Sequence, residues 1–259
     1  MKKFISLLFV TYRFYVVAAF KAFYFGFIAL FSNLRSSEFE HSFLDIIVPV
    51  NSSGQTFIID VGSNIGRYSI PLARLVSSSG IIYSFEPNFF SFQIQLFILH
   101  CLNLQNICIV NASISDSNCV GFLSRSFSKP SSAVFTTETA SKSLPCPPPL
   151  FSAQYSLSPM FSLDNLMPEL FISFIKIDVE GHELSVLKGA STIISRSHPI
   201  ILIEFNSVDI LQWATHNDYR AFSRTFCSSR NIILIPRTKL VNHFALEKFI
   251  SSNSYEQLC

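Results

Sequence analysis

The stretch FIIDVGSNIGRYS, residues 57–69, decides which fold this sequence can adopt. Its first residues form a short apolar run that ends in Asp60, which is typical of a buried parallel strand. Gly62 and Gly66 then allow a tight turn and a close approach of the backbone. We expect Asn64 to begin a helix whose first amides face a ligand. The stretch therefore predicts a strand, a ligand-binding loop and a helix, in that order.

An acidic residue follows at the distance that a nucleotide-binding fold requires. A second apolar run, residues 81–85, ends in Glu86, about twenty residues after Gly66. An acid at this position accepts hydrogen bonds from ribose hydroxyls. Because a glycine turn between a strand and a helix is common in α/β proteins, Glu86 makes the pattern more specific. The loop and the acid together predict an adenosine-containing ligand.

The chemistry of the loop distinguishes between two cofactors of this kind. The dinucleotide fingerprint has a glycine where Asn64 stands, so that the helix can approach a pyrophosphate closely. Asp60 would repel a phosphate, but it suits the cationic amino group and the sulfonium of S-adenosylmethionine. The loop therefore favours a methyl donor, and an NAD(P)-dependent oxidoreductase is the alternative enzyme.

Composition restricts the architecture and the partners. Of the 259 residues, 49% are hydrophobic and 14% are charged. This supplies enough apolar surface for one α/β domain of about 200 residues with attached ends. The net charge of +2 comes without a dense stripe of Lys and Arg, so the sequence does not support nucleic-acid binding. The six cysteines show neither CxxC spacing nor a cluster with histidine, and we expect reduced thiols, a cytoplasmic location and no metal site.

Strand-like and helix-like stretches alternate along the chain, which predicts an α/β fold with a mostly parallel, doubly wound sheet and helices on both faces. The predicted strands are residues 57–60, 81–85, 107–111, 171–178, 199–205 and 231–236, with 119–123 as a further candidate. The predicted helices are residues 65–76, 89–102, 184–195 and 208–215. Ligands in such sheets bind at the carboxyl ends of the strands. One crevice there should be rimmed by four acids: Asp60, Glu86, Asp178 and Glu204.

Three further regions interrupt or flank the predicted domain, residues 57–237. Residues 124–160 are a long Ser/Pro-rich insertion, and its consecutive prolines at 147–149 exclude a regular helix or a central strand. We predict an irregular segment that serves either as an acceptor-side lid or as a plain surface excursion. Residues 36–56 lead into the domain, and residues 238–259 form a tail to which the sequence assigns no function.

The N-terminal segment, residues 1–35, is rich in apolar and aromatic residues, and Arg13 and Lys21 interrupt it. No charge-free run reaches the roughly twenty residues that span a bilayer. A helix lying in or anchored to the membrane interface, a spanning anchor and a helix that caps the domain all remain open. The first two readings predict contact with a membrane surface, at the inner face of the membrane.

Several motifs resemble, in the right order, the FkbM family of S-adenosylmethionine-dependent methyltransferases. They are DVGSNIG at 60–66, FEPN at 85–88, SLDNL at 162–166, and IKIDVEGHELSVLKGA at 175–190 followed by PIILIE at 199–204. The long motif is the specific one. Ser63 stands where the family usually has alanine, and the Pro/Ser-rich stretch before SLDNL is unusual. The second departure leaves acceptor recognition open.

The resemblance implies a Rossmann-like class I methyltransferase that methylates a hydroxyl oxygen of a sugar, a glycan or a secondary metabolite. Methyl transfer from a sulfonium is an in-line displacement, so the protein mainly has to orient the reactants and supply a base for the hydroxyl. Outside the enzymes, the alternative is a membrane-tethered nucleoside-binding module without turnover.

The predicted cofactor site combines the glycine loop with two acids. Glu86 is expected at the ribose. Asp116 lies after the third strand, where this fold commonly contacts adenine, although Asp116 between two serines also fits an ordinary turn. The residues expected at the methionine part come from the loop: Asp60, Gly62, Asn64 and Gly66.

The predicted catalytic residues follow the fourth strand. His182 is the first candidate for the general base, because a neutral imidazole can accept the hydroxyl proton. Asp178 and Glu180 are the alternatives, and Glu183 and Glu204 are predicted to bind the acceptor. Glu180 and Glu183 also suit the positive end of the following helix, which explains acids there without a catalytic role.

Overall fold

The computed structural model describes residues 44, 48, 56–76, 80–126, 129–136, 154–224, 230–240, 250 and 255–259. The predicted N-terminal segment, residues 1–35, and most of the lead-in lie outside these residues. Among the described residues, no helix combines the length and the apolar character that crossing a membrane requires.

Strands predominate along the described chain. They are β1 (Thr56–Val61), β2 (Gly80–Phe85), β3 (Ile107–Val110), β4 (Ser113–Ile114), β5 (Cys119–Ser126), β6 (Lys129–Thr136), β7 (Gln154–Phe161), β8 (Ile172–Ile177), β9 (Ile200–Glu204), β10 (Tyr219–Arg224), β11 (Asn231–Pro236) and β12 (Tyr255–Gln257). The helices are α1 (Ser69–Val76), α2 (Phe89–Leu102), α3 (Leu163–Leu166), α4 (Glu183–Lys188), α5 (Ser191–Ser197), α6 (Asp209–His216) and α7 (Arg237–Leu240).

The central sheet has eight strands in the order β12-β10-β11-β9-β8-β1-β2-β3. All neighbours from β9 to β3 pair in parallel. At the other end, β11 pairs antiparallel with both β9 and β10, and β12 pairs antiparallel with β10. The sheet is therefore mostly parallel, as the alternating sequence pattern predicts.

Each face of the central sheet carries its own apolar core, because successive residues of a strand point to opposite faces. Ile59 and Ile201 lie in one core, together with side chains from α4, α5 and α6. Ile58 and Leu202 lie in the other core, together with side chains from α1. Helices thus cover both faces, and the predicted doubly wound α/β arrangement is confirmed.

The order of the strands reverses next to β1. The chain passes from β1 to β2 and β3 on one side, whereas β8 and β9 extend the sheet on the other side. A crevice forms at such a reversal, outside the carboxyl ends of the strands. Asp60 lies near the end of β1 and Asp178 directly follows β8, so both acids border this crevice.

The predicted helix at residues 184–195 is two helices in the structure. α4 ends and α5 begins on either side of Gly189. A Cβ atom at Gly189 would lie only 1.9 Å from the carbonyl oxygen of Ser115, so the backbone of a distant segment approaches the chain at this point. The break is thus associated with a tertiary contact that the local sequence pattern does not reveal.

The expectation of an irregular insertion at residues 124–160 is wrong for its described parts. β5 pairs antiparallel with β6 and β7, and β4 adds in parallel to β7, which gives a second sheet in the order β4-β7-β5-β6. In β7, QYSLSPMF, Leu157 is exposed and Ser158 is buried, so the burial is the reverse of what the polarity of these residues predicts. The prolines at 147–149 lie between β6 and β7, outside the described residues.

Two strands of the central sheet, β10 and β12, have no counterpart among the predicted strands. β12 lies in the region to which the sequence assigns no function, yet it pairs with β10 and forms an edge of the sheet. Leu258 extends this contact, since its amide donates to the carbonyl oxygen of Ala221 at 2.8 Å. The C-terminal residues thus contribute to the fold.

Candidate active site

A cavity of about 240 Å³ opens where β1 and β8 end. The second sheet borders it through Ser113, Ile114 and Leu123. The cavity brings together most of the residues that the sequence predicts for the site: Asp60, Gly62, Asn64, Glu86, Asp178, Glu180 and His182. The predicted residues that do not line it are Gly66, Asp116, Glu183 and Glu204.

The glycine loop has the predicted tight geometry but a different helix start. Gly62 has a φ of 78°, and a Cβ atom there would lie 1.8 Å from the carbonyl oxygen of Asp178, so only glycine fits. Asn64 has a φ of 54°, which is left-handed and unlike the extended backbone of a helix N-cap. The prediction that Asn64 begins the helix is therefore wrong, and α1 begins at Ser69 after a series of turns.

Three backbone amides of the loop donate hydrogen bonds to oxygen atoms of the protein itself. The amides of Gly62 and Ser63 both donate to the carbonyl oxygen of Phe85, at 2.9 and 3.1 Å. The amide of Asn64 donates to Glu86 Oε2 at 2.7 Å. These amides hold the loop against the end of β2, and the expected helix start at Asn64, whose first amides were to face a ligand, is not formed. A phosphate site needs amides that converge on the ligand, and these three do not supply them.

Glu86 is fixed by the backbone on both sides. Its Oε2 accepts the amide of Asn64, and its Oε1 accepts the amide of Asn88 at 2.7 Å. Asn88 in turn caps α2, since its side chain accepts from the amides of Phe90 and Ser91. The carboxylate of Glu86, which lines the cavity, is thus held in one orientation.

The carboxyl group of Asp60 is buried beneath the loop, with 1% of the residue exposed. Its Oδ2 accepts a hydrogen bond of 2.5 Å from the hydroxyl of Ser69, at the start of α1. Burial raises the pKa of Asp60 to about 6, against the opposing effects of this hydrogen bond and of the charge on Lys176. The sequence predicts that Asp60 borders the site, but it does not predict that the side chain turns toward α1.

A buried lysine lies at the floor of the cavity. Lys176 Nζ lies 3.5 Å from Asp178 Oδ2 and donates to Asn231 Oδ1 at 3.0 Å, and it lies 5.0 Å from the centre of the Tyr68 ring. The sequence suggests that Lys176 pairs with Glu180 or Glu183, but the acid beside it in the structure is Asp178. Tyr68 and Asn231 come from opposite ends of the domain, and no local pattern links them.

His182 precedes α4 and lines the cavity. Its Nε2 lies 2.8 Å from the hydroxyl oxygen of Ser115. Burial lowers the pKa of His182, and the charges of Asp116 and Glu183 act in the opposite direction. A neutral imidazole at the edge of the cavity is suited to accept a proton, as the sequence predicts for the base.

Ser115 is a site residue to which sequence reasoning gives no role. Its neighbour Asp116 is exposed and does not reach the cavity lining. The signal that was available is the turn-like run of Ser115, Asp116 and Ser117, but that run gives no indication that His182 lies opposite.

The two acids predicted to bind the acceptor have protein partners. Glu183 is fully buried, and it accepts from the amides of Val179 and Gly181 and from the side chain of Asn206. It therefore supports the loop after β8. Glu204 Oε1 lies 3.8 Å from Arg230 Nη1, and burial, followed by the charge of Asp178, raises the pKa of Glu204.

Metal ligands do not assemble in the described part of the chain: no group of three or more His, Cys, Asp or Glu side chains there could hold an ion.

The strand order, with its antiparallel β11 and its cavity at the reversal beside β1, defines a Rossmann-like class I methyltransferase fold. Residues 60–228 match the family model described as the methyltransferase FkbM domain, which is more than half of the chain. The protein therefore belongs to the FkbM methyltransferase family. Membership confirms the family predicted from the motifs and, with it, S-adenosylmethionine as the cofactor.

Solved structures with similarity to the chain are distant in sequence. The FkbM methyltransferase of Methylobacillus flagellatus KT is 18% identical with a TM-score of 0.49, and the match covers 70% of this chain and 43% of that one. An rRNA methylase of Streptococcus thermophilus is 12% identical with a TM-score of 0.45, over 78% and 96% of the two chains. The chain thus spans less than half of the Methylobacillus flagellatus protein. No curated protein matches the sequence.

Proposed function

We propose that the protein transfers a methyl group from S-adenosylmethionine to a hydroxyl oxygen, on a sugar, a glycan or a secondary metabolite. The bonding of the glycine loop carries the proposal. Gly62, Ser63 and Asn64 donate their amides to Phe85 and Glu86, so these three amides do not converge on a phosphate. A cofactor without phosphate groups suits this loop, and a dinucleotide does not.

The charges that line the cavity also suit a cationic cofactor. Asp60, Glu86, Asp178 and Glu180 contribute carboxyl groups, against the cations of Arg67 and Lys176. Acids in excess favour a ligand with a sulfonium and an ammonium group. When bound, the cofactor supplies an electrophilic methyl group, and the residues of the chain orient it and remove the proton of the acceptor.

We assign separate tasks to two of the three candidates for the base, Asp178 and His182. Asp178 is paired with Lys176, so we assign it to binding a donor group of the cofactor or the acceptor. Glu180 is exposed and lies in a left-handed turn. His182 is partly buried at the cavity edge, with a lowered pKa, and we assign it the hydroxyl proton.

We base the proposed acceptor on the sequence motifs and on residues 1–35. The apolar N-terminal segment supports an acceptor at the inner membrane face, such as a lipid-linked sugar, in a cytoplasmic protein. The second sheet, through Leu123, borders the cavity and is the part of the fold that we propose for acceptor contact.

Calorimetric titration with S-adenosylhomocysteine and with NADH tests the cofactor. We expect micromolar binding of S-adenosylhomocysteine by the full chain and a loss of about tenfold or more in Glu86→Gln, because a hydrogen-bonded ribose contact is removed. The exposed Glu169→Gln is the matched control and should bind normally. Thermal melting confirms that both variants are folded. Binding of NADH in place of S-adenosylhomocysteine would overturn the proposal.

Turnover is tested separately with a labelled methyl donor and a panel of hydroxylated sugars and lipid-linked sugars. We expect transfer by the wild type and a loss of about a hundredfold or more in His182→Gln with S-adenosylhomocysteine binding unchanged. Binding without transfer to any acceptor would favour the nucleoside-binding module.

A further inference from the structure

We propose that Ser115 and Asp116 are positioning residues that fix the tautomer of His182, so that Nδ1 is the atom that accepts the proton of the acceptor hydroxyl. The inference rests on the proposed function of the site and adds a specific role for two residues. Three contacts support it: the one between Ser115 and His182, the one between Ser115 and Asp116, and the close approach of Ser115 to Gly189.

The proton arrangement follows from the donors and acceptors in this group. Ser115 Oγ lies 2.8 Å from His182 Nε2 and 3.2 Å from Asp116 Oδ1. A serine hydroxyl has one proton, and a carboxylate can only accept. If Ser115 donated to His182, its oxygen lone pairs would face the carboxylate of Asp116. Both contacts are attractive only when Ser115 donates to Asp116 and His182 donates to Ser115 through Nε2–H.

The tautomer of His182 is fixed by this arrangement. A neutral imidazole carries one proton, and with that proton on Nε2 the basic lone pair is on Nδ1. In the transfer step, the acceptor oxygen forms its bond to the methyl carbon and its proton passes to Nδ1. The methyl–sulfur bond breaks with its electron pair left on sulfur, so the positive charge of the sulfonium reappears on the imidazolium.

The position of Ser115 is set from two sides. Its amide donates to the carbonyl oxygen of Phe161 at 2.9 Å, which ties it to the second sheet. Its own carbonyl group lies against Gly189, where a Cβ atom would be 1.9 Å from the oxygen. Gly189 ends α4, the helix that His182 precedes. Ser115 therefore contacts both ends of α4, through its hydroxyl group at His182 and through its carbonyl group at Gly189, as a fixed orientation requires.

The charges around His182 support the same role. Asp116, on the loop after β4, and Glu183, on α4, both favour the imidazolium, whereas burial opposes it. Asp178, Glu180 and Lys176 lie on the lining of the same cavity. Asp116 acts through Ser115 and outside the cavity, so it can stabilise the protonated ring without contact with the reactants.

Long-range proton–nitrogen NMR on the uniformly ¹⁵N-labelled full chain reads the tautomer directly. At about pH 8, where a histidine is mostly neutral, we expect His182 to show a protonated Nε2 and an unprotonated Nδ1. The His182→Gln variant assigns its signals. His216 is the internal control, because its Nδ1 lies 2.7 Å from the carbonyl oxygen of Gln212 and must carry a proton there.

Three variants separate positioning from a merely structural role. Ser115→Ala should give a mixture of tautomers and lower kcat about tenfold or more with little change in KM. Ser115→Thr keeps the hydroxyl and should restore both. Asp116→Asn keeps an acceptor for Ser115, so the tautomer should persist, but loss of its charge lowers the pKa of His182 and moves the acidic limb of the pH profile of kcat/KM to lower pH.

The outcomes distinguish this inference from the proposed function. A protonated Nδ1 in the wild type, or a tautomer unchanged in Ser115→Ala, would overturn the positioning role whatever the enzyme does. Unaltered kcat in Ser115→Ala would do the same. A failure to bind S-adenosylhomocysteine would instead overturn the proposed function, while the NMR measurement still decides the tautomer.

Discussion

Asp60 illustrates, at the scale of one residue, how the end of a central strand can hold a carboxyl group away from water. The group is enclosed by the loop and α1, and its hydrogen-bond partner Ser69 also contacts Ser84 at 3.0 Å. Burial raises the pKa of Asp60 from 3.8 to about 6, so the folded protein holds this proton more tightly than the unfolded chain does.

The raised pKa of Asp60 makes the stability of the protein depend on pH. A raised folded-state pKa adds stability that is fully present below the unfolded value and is lost as pH rises through the folded value. We expect the free energy of unfolding to fall by about 3 kcal/mol between about pH 4 and pH 6 through this group, and to level off above. Urea unfolding of the cofactor-free chain at a series of pH values measures it.

Asp60→Asn provides the comparison, because an amide keeps an acceptor for Ser69 and does not titrate. The decline between pH 4 and 6 should be shallower in this variant than in the wild type, whereas the exposed Glu169→Gln should follow the wild type. Parallel curves for wild type and Asp60→Asn would contradict the enclosed, titrating carboxyl.

At the scale of elements, one helix depends on a residue of another. Ala190 precedes α5, and its methyl group cannot accept a hydrogen bond from the first amides of the helix. Asp164 of α3 takes this role: its Oδ2 accepts from the amide of Thr192 and its Oδ1 from the amide of Ile193, both at 2.9 Å. Asp164 is the acid of the SLDNL motif, so that motif has a structural explanation in this fold.

Loss of this cap should destabilise the protein. We expect Asp164→Ala to lower the free energy of unfolding by about 1–2 kcal/mol, as loss of an N-cap does, through orphaned amides and a lost favourable charge at the helix start. Asp164→Asn keeps one acceptor oxygen and should lose less. Asp209→Ala, in the first turn of α6, removes an exposed acid and serves as control. Equal stability of the Ala and Asn variants at position 164 would contradict the capping role.

The elements also show what the sequence can and cannot predict. The bounds of α2 are predicted correctly, because Asn88 caps its start and Asn103, with a φ of 52°, ends it, and both signals are local. The break between α4 and α5 depends on a contact with Ser115, and β10 and β12 depend on partners elsewhere in the sheet. The second sheet escapes prediction because β6 and β7 lie in or beside the Ser/Pro-rich stretch at residues 124–160, whose composition is typical of an irregular segment.

At the scale of the whole molecule, residues 255–259 add an edge strand, β12, to the main sheet. β12 pairs with β10, and two further bonds link Leu258 and Cys259 to Ala221. Tyr255 packs against the core beside α1, and Cys259 packs against the core on the other face. Residues 255–259 therefore pack against the apolar cores on both faces of the sheet.

Removal of residues 255–259 should expose β10 as an edge strand. We expect a loss of about 2–4 kcal/mol in the free energy of unfolding, from several backbone hydrogen bonds and some apolar burial, together with a greater tendency to aggregate. Urea unfolding and light scattering measure the two effects. Leu258→Ala is the control, since it trims a partly exposed side chain and leaves the backbone pairing. Wild-type stability after truncation would contradict the role of β12.

In the candidate site, the sequence predicts where several acids lie but not which residues they contact. Strand ends fix where Asp60, Glu86 and Asp178 lie, because parallel strands bring their carboxyl ends to one edge. The partners of these acids cannot be predicted in that way. Lys176 meets Asn231 and His182 meets Ser115 only after the chain has folded, and the same holds for the protein donors that surround Glu183.

Gly62 and Asp178 join the two halves of the site. The Asp178 carbonyl oxygen lies against Gly62, and its amide donates to the carbonyl oxygen of Val61 at 3.0 Å, so the glycine loop and the loop that carries His182 adjoin along one peptide segment. A ligand that displaces one loop must displace the other. Occupancy on the two sides is then thermodynamically linked, and reciprocity requires each ligand to change the affinity of the other by the same factor. Release of either ligand then alters the retention of the other by that factor as well.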